Sequence, residues 1–126
     1  MRVFKVRSVA RFARRERIGD GDLIEAIERA ERGIADADLS GGLIKQRVAR
    51  PGQSRFGGFR VLVAFRIGDR AVFRYGFAKN ERDNIDPDEL AELREVAEDW
   101  LRAGAERIGR ALAEGSLQEV DYGGSC

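Results

Sequence analysis

A chain of 126 residues with 23 Lys+Arg, 22 Asp+Glu and no histidine has the length of one domain, and its formal net charge is only +1. The lack of histidine excludes imidazole acid–base pairs, Ser-His and Cys-His nucleophiles and the usual zinc sites. One cysteine, Cys126, excludes an intrachain disulfide and a thiolate metal site, which leaves Lys, Arg, Tyr, Asp and Glu to carry any chemistry.

The first residues, VFKV, predict a short strand. From Ser8, an N-cap by residue type, Val9, Phe12 and Ala13 recur at helical spacing, with Arg11, Arg14, Arg15 and Arg17 as a solvated face on or beside that helix. DGDLIEAIERAERG predicts a second helix: Asp22 and Glu25 have capping-box spacing, Leu23, Ile27 and Ala30 follow one face, and Gly33 suits a C-terminal cap. Joined by IGDG, the two helices should form an N-terminal helical hairpin.

From residue 43 the pattern becomes strand-like. LIKQRVAR, GGFRVLVAFRIG and RAVFRYGFAK predict three antiparallel strands, linked by the glycine-rich PGQSRFGG and the tight turn IGDR. A strong helix start follows, with Asp86 as N-cap, Pro87 in the first helical position and Glu89 three residues after the cap. Leu90, Leu93, Ala97, Trp100, Leu101, Ile108 and Leu112 then mark one apolar face of a long helix to Glu114. Gly104 and Gly109 are places for a break or bend, and Gly115 should end it. LQEVDY predicts a last short strand, and GGSC a flexible tail at 123–126. The sum is one α+β domain over residues 1–122, an N-terminal helical hairpin and a long C-terminal helix packed on a small antiparallel β-sheet.

The small net charge hides a segregation. Residues 39–82 carry 10 Lys+Arg against 2 Asp+Glu, and residues 83–126 carry 4 against 12. Side chains alternate along a strand, so Lys45 and Arg47 share one side while Ile44, Gln46 and Val48 take the other. Phe59, Val61, Val63 and Phe65 then oppose Arg60 and Arg66, and Phe73, Tyr75 and Phe77 oppose Arg74. If helices cover the Phe/Val face, the cations collect on an uncovered one, where mutual repulsion favours a phosphate-rich ligand. In the acidic third, Glu92, Glu95 and Asp99 read as the solvated side of a helix, or as a dock for a basic partner. No Walker or dinucleotide glycine pattern occurs, so no cofactor is expected. The N-terminal segment has no apolar core of signal-peptide length, and the longest aliphatic-aromatic run, VLVAF, is too short to span a bilayer. The expectation is a cytoplasmic protein that does not engage a membrane.

Residues 35–86, ADADLSGGLIKQRVARPGQSRFGGFRVLVAFRIGDRAVFRYGFAKNERDNID, resemble the RelE-type toxins of bacterial type II toxin-antitoxin systems. Within the RelE/ParE superfamily they resemble the HigB-like branch, whose members read D-A-D-L-G-G-G, K-Q-R, R-P-G, G-G-[FY]-R and G-F-A-K-x-E-R-x-N-I. The resemblance implies a ribosome-dependent messenger RNA endoribonuclease with helices on one sheet face and a basic cleft on the other. It also implies a cognate antitoxin, often of helix-turn-helix type.

Carried over residue by residue, it implies that Lys45, Arg47, Arg60 and Arg82 are catalytic and that Lys79 binds nucleic acid, and Arg50, Arg55, Arg66 and Arg74 of the basic stretch and sheet face are expected to bind nucleic acid with it. Two family positions differ: Asn80 stands where an arginine follows the turn lysine, and Asp86 falls roughly where a tyrosine is usual. Tyr75 is expected on the core face. Attack of a ribose 2′-hydroxyl on the adjacent phosphodiester needs alignment, stabilisation of a pentavalent phosphorane and proton transfer. Cations supply the second directly, and Lys45 is the candidate base because arginine stays protonated. Two other readings stay open at this stage, a ParE-like DNA gyrase inhibitor and an inactive toxin-derived nucleic-acid-binding protein.

Overall fold

The structure, a computed structural model, describes residues 1–49, 58–78 and 85–121. The chain runs β1 (Arg2–Val6), α1 (Arg7–Glu16), α2 (Asp20–Glu31), β2 (Ala37–Asp38), β3 (Leu43–Val48), β4 (Phe59–Arg66), β5 (Arg70–Ala78), α3 (Pro87–Arg102), α4 (Ala105–Glu114) and β6 (Leu117–Val120). Among the described residues six strands make one sheet in the order β2-β3-β4-β5-β1-β6. The class is α+β, as expected, but the arrangement departs from the expectation in four respects.

The sheet is mixed rather than antiparallel. β1 pairs with β5 in parallel, Phe4 opposite Val72, and with β6 antiparallel, Phe4 opposite Glu119. β1 thereby fills the slot between β5 and the returning C-terminal strand.

The first two helices do not form a hairpin. α1 lies over β1, β5 and β6 while α2 lies over β3, so each buries its apolar stripe against the sheet rather than against its neighbour. The N-cap of α1 is Val6, which places Ser8 inside the first turn. α2 is capped at Gly19, whose N–H donates to the Asp22 carboxylate at 3.0 Å.

The long C-terminal helix is two helices. The backbone is extended at Ala103 and Gly104, with ψ of 129° and 172°. Arg70 explains the break, because its Nη1 donates to the carbonyls of Trp100 at 2.8 Å and Ala103 at 2.7 Å. A continuing helix would offer those acceptors to the N–H groups of Gly104 and Arg107. Asp86 and Pro87 do open α3, and Gly115, at φ 80°, closes α4.

Helices cover both sheet faces rather than one. Every residue of β4 from Phe59 to Ala64 is buried, which a strand achieves only between two layers. On one face Phe12 of α1 meets Phe59 edge-on, ring centroids 5.5 Å apart. On the other, α3 covers β4, held there by Arg66, whose Nη1 donates to the Leu101 carbonyl at 3.2 Å. The physical reason lies in FRVLVAFR: Leu62 and Ala64 stand between Arg60 and Arg66 on the same face and supply an apolar strip for α3 to bury.

α1 approaches the sheet closely at Gly76, where a Cβ would lie 2.5 Å from Phe12 Cε2. Gly76→Ala forces that ring out of its edge-on contact and should cost about 1–3 kcal/mol. Urea unfolding should show a lower midpoint with an unchanged slope.

Candidate active site

The cation cluster lies on the α3 face, at the end of β4 away from Arg66. Pairing of β3 with β4 sets Arg47 opposite Arg60 and Lys45 opposite Leu62. Directly opposed residues have Cα atoms about 4.5–5.5 Å apart, and alternate residues of one strand lie about 6.6 Å apart, so the three cations share one small patch. Lys45 and Arg47 are half-buried, and Arg60 is only 8% exposed. Burial first, and the Arg47 charge second, push the Arg60 guanidinium below its usual range, while Asp36 acts in the opposite sense. Arg60 Nη1 reaches the Phe59 carbonyl at 3.4 Å, a long bond for a buried cation.

A buried polar network holds β3 in place from the opposite face. Asp36 Oδ2 accepts from the Arg47 N–H at 2.6 Å and from Arg29 Nη1 at 3.3 Å, and Arg29 Nη2 donates to the Arg47 carbonyl. Gln46, fully buried, accepts from the Asp36 N–H at 2.7 Å and donates to the carbonyls of Ala26 at 2.9 Å and Ile34 at 3.1 Å. Both backbone groups of Arg47 are thereby occupied, which fixes the strand on which its side chain stands. Sequence reasoning assigned no role to Arg29, Asp36 or Gln46. The legible signal was Gln46, a polar residue in the apolar row of an alternating strand.

Tyr75 departs from its expected place on the core face. The register between β4 and β5 slips at Leu62/Val63: Val63 pairs with Phe73, but Leu62 pairs with Tyr75 and Arg60 with Phe77. Arg74 is the extra residue of the resulting bulge. A bulge reverses side-chain parity beyond it. Tyr75 and Phe77 therefore lie on the face of Lys45, Arg47 and Arg60, not on the core face with Phe73. Their rings sit 5.8 Å apart.

The other residues singled out by the sequence divide into four groups. Arg66 is at the far end of β4, about 20 Å from Arg60 at about 3.3 Å per residue, where it bonds Asp69 and the end of α3. Arg74 lies at the bulge and lines two neighbouring cavities. Arg50, Arg55, Lys79, Arg82 and Asn80 lie outside the described residues. Asp86 takes the N-cap position of α3.

Residues 1–120 match the protein family described as the RelE toxin of the RelE / RelB toxin-antitoxin system. The chain belongs to the RelE toxin family. It is accordingly the toxin of a toxin-antitoxin system, and an antitoxin is its partner. No curated protein matches it. No helix among the described residues of this RelE-family toxin is long and apolar enough to cross a membrane, and no group of acidic or sulfur ligands among them is suited to a metal ion.

Asp36→Ala leaves Arg29, 4% exposed, without one of its two carboxylates and the Arg47 N–H without an acceptor. It should lower stability by about 2–4 kcal/mol. Arg102→Ala, which removes an exposed pair with Glu98, should stay within about 0.5 kcal/mol. Urea titrations of the two variants against the parent provide the comparison.

Proposed function

We propose that this toxin is a ribosome-dependent messenger RNA endoribonuclease of the HigB-like branch. The observation that carries the reading is the direct opposition of Arg47 and Arg60 with Lys45 one row away, a self-repelling arrangement that a phosphate relieves. In the reaction the ribose 2′-oxygen attacks the adjacent phosphorus as its proton leaves. The 5′-oxygen of the next nucleotide departs and takes up a proton, which leaves a 2′,3′-cyclic phosphate and a 5′-hydroxyl.

Arg60 and Arg47 stabilise the charge that grows on the non-bridging oxygens. Arg60, a buried donor that needs no reorganisation, acts most strongly there. Lys45 abuts them and is the candidate to take the 2′-proton, or to hold the phosphate if the ribosome supplies the base. Arg82 and Lys79, after β5, complete the proposed phosphate cluster. Arg50 and Arg55, between β3 and β4, and the arginines 66 and 74 extend nucleic-acid contact. The proposed partners are the ribosome, its message and a helix-turn-helix antitoxin, and the proposed setting is the cytoplasm.

Expression of Arg60→Ala and Lys45→Ala without antitoxin should relieve growth arrest. Loss of one oxyanion-stabilising donor should slow cutting by about 10²–10³-fold. Primer extension on message from induced cells should show cuts within translated codons for the parent alone. Arrest with intact message and accumulated gyrase–DNA breaks would replace this reading with the gyrase one. Ribosome binding with intact message would replace it with an inactive binding protein.

A further inference from the structure

Beside the Arg74 bulge a groove lies between β5 and α3, outside the cluster of Lys45, Arg47 and Arg60. A cavity of about 240 Å³ is lined by Arg74, Tyr75, Glu89, Glu92, Leu93 and Val96. A second, of about 390 Å³, lies between the first turn of α1 and α3, with Arg7, Arg11 and Arg74 as its charged walls. Arg74 and Val96 line both, so the two cavities adjoin along one groove wall. It begins where the cation cluster ends, since Tyr75 stands two strand spacings, about 10 Å, from Lys45.

We propose that this groove binds the RNA nucleotide next to the cleaved phosphodiester, its base in the smaller cavity and its phosphate in the larger. The inference rests on the endoribonuclease reading and adds a subsite to it. Three features of the groove point to a nucleotide. The smaller cavity falls below the roughly 300–1,000 Å³ of pockets for drug-sized ligands, which suits one planar ring system.

Its walls combine an aromatic face at Tyr75 and aliphatic carbons at Leu93 and Val96 with carboxylates at Glu89 and Glu92. Stacking holds any base, whereas carboxylates accept from exocyclic amino groups and so select amino-bearing bases over uracil. The larger cavity has only cations among its charged walls, the arrangement that phosphate requires. Arg7 is held in position because its Nε and Nη2 donate to the carbonyls of Gly115 and Glu114, both at 3.1 Å. Arg11, part of the N-terminal arginine group with no assigned role, is an exposed member of the same wall.

The subsite is tested with full-length toxin and single-stranded 2′-O-methyl RNA, which cannot undergo 2′-hydroxyl attack. Cytosine-rich and uracil-rich oligonucleotides are titrated by fluorescence anisotropy at several salt concentrations. Arg11→Ala combined with Arg74→Ala should weaken both oligonucleotides about tenfold or more and make the salt dependence shallower by about one to two charges. Glu92→Ala combined with Glu89→Ala should abolish the preference for cytosine while leaving uracil binding intact.

Unchanged RNA affinity in the doubly substituted arginine variant, with cooperative unfolding retained, would overturn the proposal, as would absence of RNA binding by the parent. Loss of antitoxin neutralisation with RNA binding unchanged would assign the groove to the antitoxin and overturn it equally. Failure of the cleavage reading is seen separately. A parent that cuts no message yet binds RNA through Arg11 and Arg74 loses the endoribonuclease and keeps the groove.

Discussion

The Arg29 guanidinium is 4% exposed and meets the carboxylates of Glu25 and Asp36 and the carbonyl of Arg47. A cation buried to this degree is tolerated only when its donors are satisfied, so the three segments it touches cannot move independently. Those segments are α2, the chain entering β2, and the middle of β3. Gln46 repeats the linkage one residue away through Ala26, Ile34 and Asp36. The network lies on the α2 face, yet its effect appears on the opposite face: a strand held at the backbone of residue 47 presents its side chains at 45 and 47 in one direction only. Like charges opposed across β3 and β4 would otherwise push the strands apart. The polar network supplies the restraint that the cation cluster lacks.

α3 decides which arginines belong together. Its apolar side takes the strip of Leu62 and Ala64, so Arg60 and Arg66 emerge at opposite ends of the covered region. Arg66 and Arg70 then donate to carbonyls at the C-terminal end of α3, where cations complement unsatisfied acceptors. The same donors stop the helix at Arg102 and turn the chain into α4, which packs against β6. Of the cations that alternation assigns to one basic face, Arg60 thus stays with Lys45 and Arg47, while Arg66 joins Arg70 at the end of a helix.

Most elements were legible because each carries a local signal: period-two runs for β3, β4 and β5, Asp86-Pro87 for the start of α3, and Gly115 for the end of α4. The shared face of Lys45, Arg47 and Arg60 was legible through strand parity, which holds along β3 and β4. What was not legible depends on partners distant in sequence. The parallel placement of β1, the separation of α1 from α2 and the break at Ala103 each follow from which surface an element finds in the folded chain. Propensity and periodicity do not contain that information. Helices on both faces were foreshadowed by Leu62 and Ala64, apolar residues in the row that Arg60 and Arg66 made look polar.

Tyr75 shows how one extra residue alters chemistry. Along RAVFRYGFA, strict alternation joins Tyr75 to Phe73 and buries it against α1. The Arg74 bulge instead joins it to Arg60 and Lys45. Bulges form where a strand gains by bending, and here Gly76 lies against Phe12, close enough that a side chain at this position would meet the ring. With glycine at 76 the helix-facing side of β5 is thin at that point, and the strand's bulk moves to the opposite face as Tyr75 and Phe77. A chain without histidine thus places aromatic surface beside its cations by backbone geometry. The same bulge turns Arg74 towards α3 and the larger cavity. Cationic and aromatic side chains come to lie side by side through one irregularity in a sheet that is otherwise held in register.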